Sequence, residues 1–249
     1  MRSAFFLRSW LRLWRANTAL ASGLAVCAVS AVFAAEPAPA AEKGELLLQD
    51  DFKGYAAFTK ERQPAKAPGW VVRVAHATWE PTAEGVRSVW TSGHNPVLVY
   101  EGNFGDVIVE VDFRYTAEPG RWAACRVSAS NGQLDPRAYA VSAWANVDNL
   151  ARGRGFVLEN EVWGGYIIRT GYTKAQFAPD TWHTLRLEVV GDAARADCAG
   201  FTVRGRHEKY GLPKTSLWLG TGQSAHELRN LRIYAVKRAP EPAGSAPAK

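Results

Sequence analysis

Apolar and polar residues alternate with a period of two along much of the chain between residues 45 and 237. The clearest case is Val107–Tyr115, where every second residue is apolar and two acids and an arginine lie between them. Such alternation predicts a strand with one face in a core and the other in water. The segment Trp182–Val190 has the same pattern and leads through a Gly-Asp turn into a returning strand that contains Cys198. This arrangement predicts a β-hairpin.

Short runs of the same kind continue along the chain, separated by Gly, Pro, Asn and Asp, whereas helical periodicity is almost absent. Many short strands at regular turn spacing are typical of a sandwich or jelly roll, so we predict an all-β fold. The further strands that we predict are Leu46–Phe52, Val71–Val74, Ala77–Glu80, Gly85–Trp90, Val97–Tyr100, Ala123–Ala129, Ala138–Ala143, Phe156–Trp163, Tyr166–Thr170, Phe201–Arg204, Ser216–Gly220 and Leu228–Val236.

The two ends of the chain differ from this pattern. Residues 1–34 contain four arginines and no acid, then an apolar stretch and Val32-Phe33-Ala34, which predicts a cleaved signal peptide and export to the periplasm or beyond. We expect a flexible spacer over 35–44, one sandwich domain over 45–237 and a disordered tail over 238–249.

Charge and hydropathy narrow the range of partners. Loss of the four arginines lowers the formal charge from +6 to +2, so the pI of about 9.3 is mostly a property of the signal. We therefore expect no nucleic-acid partner. No other apolar stretch approaches the ~20 residues of a membrane span, so we expect no membrane insertion after cleavage.

Cys125 and Cys198 remain after the signal is removed. In an oxidising compartment they could form a disulfide that contributes roughly 3–5 kcal/mol. The alternative is a pair of buried free thiols.

Tryptophan is the main positive signal for function, because the standard nucleotide, metalloprotease, redox and α/β-hydrolase motifs are missing. Eight tryptophans follow the signal, and we expect five or six of them to lie in the core. Trp144 and Trp163 are the better ligand candidates, since each ends a predicted strand beside polar residues. Indole rings are large apolar plates that can stack on the C–H faces of sugars.

Glu159 and Glu161 are the candidate catalytic pair. They lie two residues apart on one predicted strand, so about 6.5 Å separates their Cα atoms, and Trp163, Tyr166 and Arg169 are close in sequence. Glycosidase carboxyl pairs lie roughly 5–5.5 Å apart in retaining enzymes and 6.5–9.5 Å apart in inverting ones. The alternative is a solvated acidic strand face.

A cofactor is not required by this chemistry. Asp50 and Asp51 open the first predicted core strand and could supply oxygen ligands to a structural calcium ion near Asn230. The alternative is that these acids are simply solvated.

The order of the motifs resembles exported bacterial proteins with the concanavalin A-like jelly-roll fold, and most closely the domain family named for 3-keto-disaccharide hydrolase. The resemblance implies two antiparallel sheets and activity on carbohydrates. It is carried by Asp51-Phe52, Gly69-Trp70, Ala77–Glu80, Phe104–Arg114, Ala138–Val141, Asp180–Glu188, His207–Lys214 and Leu228–Tyr234.

Two departures weaken the transfer of activity. That family often has a Tyr-Glu pair where this chain has Tyr139-Ala140. The related family-16 glucanases carry Glu-x-Asp-x-x-Glu, and here Glu110 and Asp112 begin the pattern but Tyr115 replaces the last acid. The glucanase mechanism is therefore not expected.

Three functions remain open. In a hydrolase of glycosides or keto-sugars, Glu159 and Glu161 would be acid and base, and Arg126 or Arg169 would hold ring oxygens. A non-catalytic lectin-like module would bind glycans with the same aromatics. In both, the predicted ligand contacts are Arg126, Tyr139, Trp144, Trp163, Tyr166 and Arg169. The third function is a structural envelope protein in which the tryptophans only pack. Ala140 favours the lectin, whereas the glutamate pair favours the enzyme.

Overall fold

The computed structural model describes residues 40–131, 139–147, 155–162 and 166–237, and only the backbone of Val162 and Tyr166. The predicted signal, most of the spacer, the tail and Trp163 lie outside the described residues. Within these ranges, no helix is both long and apolar enough to cross a membrane.

Sixteen strands and one 3-10 helix, Glu208–Gly211, occur in the described ranges. In chain order the strands are β1 (Lys43–Asp50), β2 (Gln63–Pro64), β3 (Val71–His76), β4 (Thr78–Pro81), β5 (Val86–Val89), β6 (Val97–Phe104), β7 (Val107–Tyr115), β8 (Ala124–Ser130), β9 (Val141–Asn146), β10 (Gly155–Val162), β11 (Tyr166–Thr173), β12 (His183–Val190), β13 (Ala193–Cys198), β14 (Phe201–Arg206), β15 (Lys214–Thr221) and β16 (His226–Val236).

The strands form two antiparallel sheets. Sheet A has the order β14-β13-β12-β7-β16-β5-β4, and β1 pairs with the far half of β16. Sheet B has the order β11-β10-β9-β8-β15-β6-β3-β2. The prediction of an all-β sandwich is confirmed. Its first strand begins at Lys43, two residues before the predicted start of the domain.

The core lies between the two sheets and follows the alternation in the sequence. On β7, Val107, Val109, Val111, Phe113 and Tyr115 all point into it, as predicted. On β12 the inward residues are Leu185, Leu187 and Val189, and the predicted hairpin to β13 is present. Because each strand contributes one apolar row, the opposite rows form the outer faces of the sandwich.

The outer face of sheet A is covered by ion pairs. Glu110 accepts hydrogen bonds from Arg186 (3.0 Å) and from Lys43 (2.8 Å). Asp112 accepts one from Asn230 at 2.8 Å and one from Thr184 at 2.7 Å. Glu110 and Asp112 therefore have structural partners on the outer face, as the alternation indicated.

The sheets approach closely where β11 meets β14, and two glycines allow it. A Cβ atom on Gly171 would lie 2.3 Å from the carbonyl oxygen of Arg204, and one on Gly205 would lie 2.5 Å from the hydroxyl of Thr170. Side chains at either position would push the two edges apart. This contact fixes β11 and its neighbour β10 relative to sheet A.

Two expectations from the sequence were wrong. Of the described tryptophans, only Trp70 and Trp79 lie in the core between the sheets, whereas five or six of the eight were expected there. The strand predicted over 138–143 lies instead at 141–146, so Trp144 is inside β9 and not at its end. Both faces of β9 are buried, which removes the alternation that marks strand boundaries.

Cys125 and Cys198 are buried free thiols on the inner faces of the two sheets. The structure thus supports the second of the two alternatives for this pair.

Candidate functional site

The predicted site residues lie on the outer face of sheet B. On β8, Cys125, Val127 and Ala129 point into the core, so Arg126 and Ser128 point outward. The same alternation turns Trp144 outward on β9 and Glu159 outward on β10. We call this surface, which includes the outward residues of β3, β6, β8–β11 and β15, the sheet B outer face.

The strand register arranges these side chains in two rows across the sheet. Pairing partners in the first row are His76, Val97, Gly220, Arg126, Trp144, Val157 and Tyr172. In the second row they are Arg73, Val99, Trp218, Ser128, Ser142, Glu159 and Arg169. Neighbouring strands lie about 4.8 Å apart, so each residue contacts the next along its row.

Glu159 is held in a buried position by Tyr139. The tyrosine hydroxyl donates a hydrogen bond to Glu159 Oε1 at 2.9 Å, and each residue is 1% exposed. The backbone N–H of Glu161 also donates to the carbonyl oxygen of Tyr139 at 3.2 Å. A buried carboxylate needs such a donor, because its desolvation is otherwise costly. Tyr139 therefore fixes the candidate acid in place.

Arg126 stacks on two aromatic rings. Its guanidinium lies 4.8 Å from the ring centroid of Trp144 and 5.5 Å from that of Tyr139. The side chain also crosses strand β15 over Gly220, where an added Cβ would lie 2.8 Å from Nε of Arg126. Desolvated cation–π contacts of this kind contribute about 2 kcal/mol. Arg126, Tyr139 and Glu159 thus form one contacting unit.

Trp144 belongs to a second apolar cluster, separate from the main core. It packs with Ala124 and Val157 on neighbouring strands, and the partly buried Trp122 adds to the cluster. Trp144 itself is only 6% exposed. Its role in stacking sugars stays a prediction.

The remaining predicted residues lie on β10 and β11. Glu161 is partly buried and pairs with Ile167, whereas Arg169 is exposed and pairs with Glu159. The guanidinium of Arg169 lies 5.5 Å from the ring centroid of Tyr172, which is 48% exposed. Tyr166 begins β11, but its side chain is not described, and Trp163 lies outside the described residues.

Sequence reasoning missed four residues of this face. Tyr172 and Trp218 share its rows, and His76 reaches it only through a bulge in β3. Asn146 is fully buried beside Ala124 and Gly155, and neither end of its amide has a hydrogen-bond partner in the described part of the chain. Trp218 was visible in the sequence as a strand residue, whereas Tyr172 lies beyond the predicted strand Tyr166–Thr170, and a bulge leaves no local signal.

The oxygens proposed for calcium already have protein partners. Asp50 is fully buried and accepts hydrogen bonds from the hydroxyls of Tyr55 (2.5 Å) and Tyr100 (2.8 Å) and from the N–H of Phe52 (2.7 Å). Asp51 accepts from Lys66. Burial and the hydrogen bond to Asp50 raise the pKa of the Tyr55 hydroxyl. The described residues contain no group of three or more His, Cys, Asp or Glu side chains placed to hold a metal, and the calcium site stays a prediction.

A separate cavity of about 730 Å³ opens at one end of the sandwich. It lies among the connections that follow β7, β11 and β15, and its lining includes Tyr115, Glu118, Arg121, Phe177 and Ser224. Glu118 is engaged there by Arg121 (2.7 Å) and by the N–H of Ala225 (2.7 Å). This cavity is distinct from the sheet B outer face.

No protein-family model matches the sequence, and no curated protein matches it. Solved structures do match. A protein of unknown function with a galectin-like fold from Bacillus subtilis is 12% identical, with a TM-score of 0.54 over 80% of this chain and 100% of that one.

Two further structures carry functional names. The carbohydrate-binding module CBM66 from Bacillus subtilis is 16% identical, with a TM-score of 0.51 over 67% of this chain and 96% of that one. The Bacillus licheniformis β-glucanase is 12% identical, with a TM-score of 0.51 over 79% and 100%. At such low identity the likeness concerns the fold. The chain therefore has the concanavalin A-like jelly-roll fold, built from two antiparallel sheets.

Proposed function

We propose that this protein is carbohydrate-active and that it binds carbohydrate on the sheet B outer face. The observation that carries the proposal is the contacting unit of Glu159, Tyr139, Arg126 and Trp144. Carboxylates and guanidinium groups make strong charge-assisted hydrogen bonds to hydroxyls, and aromatic rings stack on sugar C–H faces. Both kinds of group meet on this one face.

Accessible groups lie beside the buried unit. Tyr172 and Arg169 are exposed on β11, and Trp218 is partly exposed on β15. The indole of Trp182, which directly precedes β12 of sheet A, offers a contrast, because Arg114 (4.7 Å) and Arg229 (3.9 Å) lie over its ring. Because two arginines already cover the Trp182 ring, it is less accessible to a sugar, which favours sheet B as the binding surface.

The fold comparisons give further support, since a carbohydrate-binding module and a β-glucanase share this architecture. Export is part of the proposal and rests on the N-terminal segment 1–34. A carbohydrate ligand outside the cytoplasm is consistent with the fold comparisons and with the N-terminal segment.

Hydrolysis of glycosides or 3-keto-disaccharides is the second candidate function. It is favoured by Glu159 and Glu161, which alternate on β10 with Leu158 in the core. A spacing of two strand residues is about 6.5 Å, which is compatible with the carboxyl separation of an inverting glycosidase. In this mechanism one carboxyl protonates the leaving oxygen while the other activates water.

Incubation of residues 35–249 with soluble glycans and 3-keto-disaccharides, followed by mass spectrometry, tests the two functions. A hydrolase gives products that disappear in Glu159→Gln and Glu161→Gln. The matched control is Glu188→Gln, because Glu188 is equally buried but lies on sheet A, paired with Arg186. Binding without products supports the lectin-like function. Absence of both binding and products contradicts the proposal.

A further inference from the structure

A bulge in β3 turns His76 onto the sheet B outer face. Val74 pairs with Leu98 and both point into the core, but the next pair is His76 with Val97, so β3 has one extra residue. Without the bulge His76 would share the inward orientation of Val74, because side chains alternate along a strand. Bulges commonly redirect a side chain beside a functional site.

Positive charge collects around this imidazole. His94 stacks on His76 with ring centroids 3.9 Å apart and an interplanar angle of 22°. Burial lowers the pKa of His76, and the positive charges of His94, Arg126, Arg73 and Lys60 lower it further. These groups come from β3, from β8 and from the loops before β2 and β6. We call His76, His94, Arg73 and Arg126 the cationic end of the sheet B outer face.

We propose that the cationic end binds the acidic group of a negatively charged carbohydrate. This inference rests on the proposed function and concerns which sugars the same face accepts. An anion placed between these groups would relieve the repulsion among them. Arginine suits the role because the N–H groups of its guanidinium form a planar fork that matches the two oxygens of a carboxylate. The guanidinium of Arg126 also lies over the rings of Trp144 and Tyr139.

The acid that the structure describes beside Arg73 does not replace such a ligand. Glu101 is the acidic partner of Arg73 (2.8 Å), and it is shared with Arg62 (2.7 Å). That group of three retains a net positive charge. His76 adds positive charge when it is protonated, and its lowered pKa places this change below the ordinary histidine range, so the cationic end attracts anions more strongly as the pH falls.

The row geometry places this charge beside the glutamates and not at them. The strands that carry Arg126 (β8) and Glu159 (β10) lie two positions apart, so about 10 Å separates their backbones, and Tyr139 contacts both side chains. The acidic sugar unit would therefore occupy a neighbouring position to the one held by Glu159. The carboxylates on β10 would also repel an acidic group placed directly over them.

A metal ion is the main competing ligand for two histidines, and the geometry disfavours it. Metal ligation needs imidazole nitrogens that converge on one point, whereas these rings meet face to face. Within the described ranges the pair also lacks the further His, Cys, Asp or Glu that would complete a metal site.

Isothermal titration of the protein with a panel of uronate oligosaccharides, each paired with its methyl ester, tests the inference. The two members of a pair differ only at the carboxyl group, which is charged in the acid and neutral in the ester. We expect at least tenfold tighter binding of an acid than of its ester at pH 6 and low salt. The preference should shrink as salt is added, because exposed charges are screened.

Histidine variants test whether the preference for acids over esters arises at the cationic end. His76→Gln and His94→Gln should each reduce the preference several-fold, whereas His183→Gln on sheet A should leave it unchanged. In the wild type the preference should grow from pH 8 to pH 5, and it should stay flat in the double variant His76→Gln/His94→Gln. The NMR titration of His76, whose pKa is lowered in the free protein, should move to higher pH when an acid is bound.

The possible outcomes distinguish a failure of this inference from a failure of the proposed function. Equal affinity for acids and esters, or binding of esters alone, overturns this inference and leaves the proposed function standing. Binding of no carbohydrate in the panel or among neutral glycans overturns both. A preference of undiminished size in the double histidine variant shows that the charge is bound away from His76 and His94, and it also overturns the inference.

Discussion

The hydroxyl of Tyr139 donates a hydrogen bond to the carboxylate of Glu159 at 2.9 Å, and both side chains are buried. Tyr139 precedes β9, and its own carbonyl oxygen accepts from the N–H of Glu161. One residue outside the strands thus holds β10 through its backbone and fixes the candidate acid through its side chain. Its ring also packs against Arg126, which links the glutamate to the cationic groups of the same face.

Removal of this hydroxyl should destabilise the protein. In Tyr139→Phe the buried carboxylate loses a donor, and hydrogen bonds to charged groups contribute about 1.5–3 kcal/mol. Urea unfolding should show a loss of that order, and carbohydrate affinity or turnover should fall as well. The control is Tyr234→Phe on β16, whose hydroxyl has no hydrogen bond among the described residues and should be nearly neutral. Equal stability of the two variants would contradict this role of Tyr139.

Trp144 on sheet B and Trp182, which directly precedes β12 of sheet A, should respond differently to truncation. Trp144→Ala removes the ring beneath Arg126 and should weaken carbohydrate binding at least tenfold. Trp182→Ala removes a ring that two arginines already cover, and it should leave affinity unchanged. Titration calorimetry with any bound glycan measures both. A larger loss in Trp182→Ala would move the binding surface to sheet A.

His226 should make the protein less stable in acid. It is fully buried, and desolvation lowers its pKa to about 4 while its Nδ1 donates to the carbonyl oxygen of Ser224 at 2.6 Å. The unfolded chain therefore binds the proton first as the pH falls below about 6.5. Stability is lost between that pH and about 4, by roughly 3 kcal/mol in total.

Comparison of urea unfolding at pH 7 and pH 4 isolates the contribution of His226 to the acid sensitivity. The wild type should lose roughly 3 kcal/mol more than His226→Gln over that interval, because the variant has no imidazole to protonate. Parallel losses in the two proteins would show that other groups cause the acid sensitivity.

The two core thiols should be unreactive in the native state. Burial raises the pKa of Cys198 to about 12 and that of Cys125 well above its ordinary value, so few thiolates form at neutral pH. In a Cys27→Ser protein, iodoacetamide should label neither cysteine until urea is added, and both afterwards. Mass spectrometry counts the labels. An unfolded protein that accepts no label without reductant would instead contain the disulfide.

Strands with one polar face could be predicted from the sequence, whereas strands that are buried on both faces could be predicted only in part. β7 and β12 alternate cleanly because their outer faces carry charged residues. β9 was misplaced by three residues, since Ser142, Trp144 and Asn146 on its outer face are as buried as its inner face. Burial on both faces erases the period of two.

The residues of the candidate site, like the strands, could be predicted from the sequence only in part. The sequence identified Glu159, Arg126, Tyr139 and Trp144 as separate candidates, and the structure brings them into contact. The strands that carry Arg126 and Glu159 pair through β9, so their proximity depends on strand order. His76 joins them through a bulge, which depends on pairing with β6 and not on local sequence.

Hydrogen–deuterium exchange with and without a bound glycan tests the binding surface most directly. We expect added protection in peptides that cover β8–β11 and β15, centred on Arg126, Trp144 and Glu159. Peptides from β7, β12 and β16 on sheet A should exchange as before. Protection confined to those sheet A strands, or to the cavity lined by Glu118 and Phe177, would contradict this binding surface.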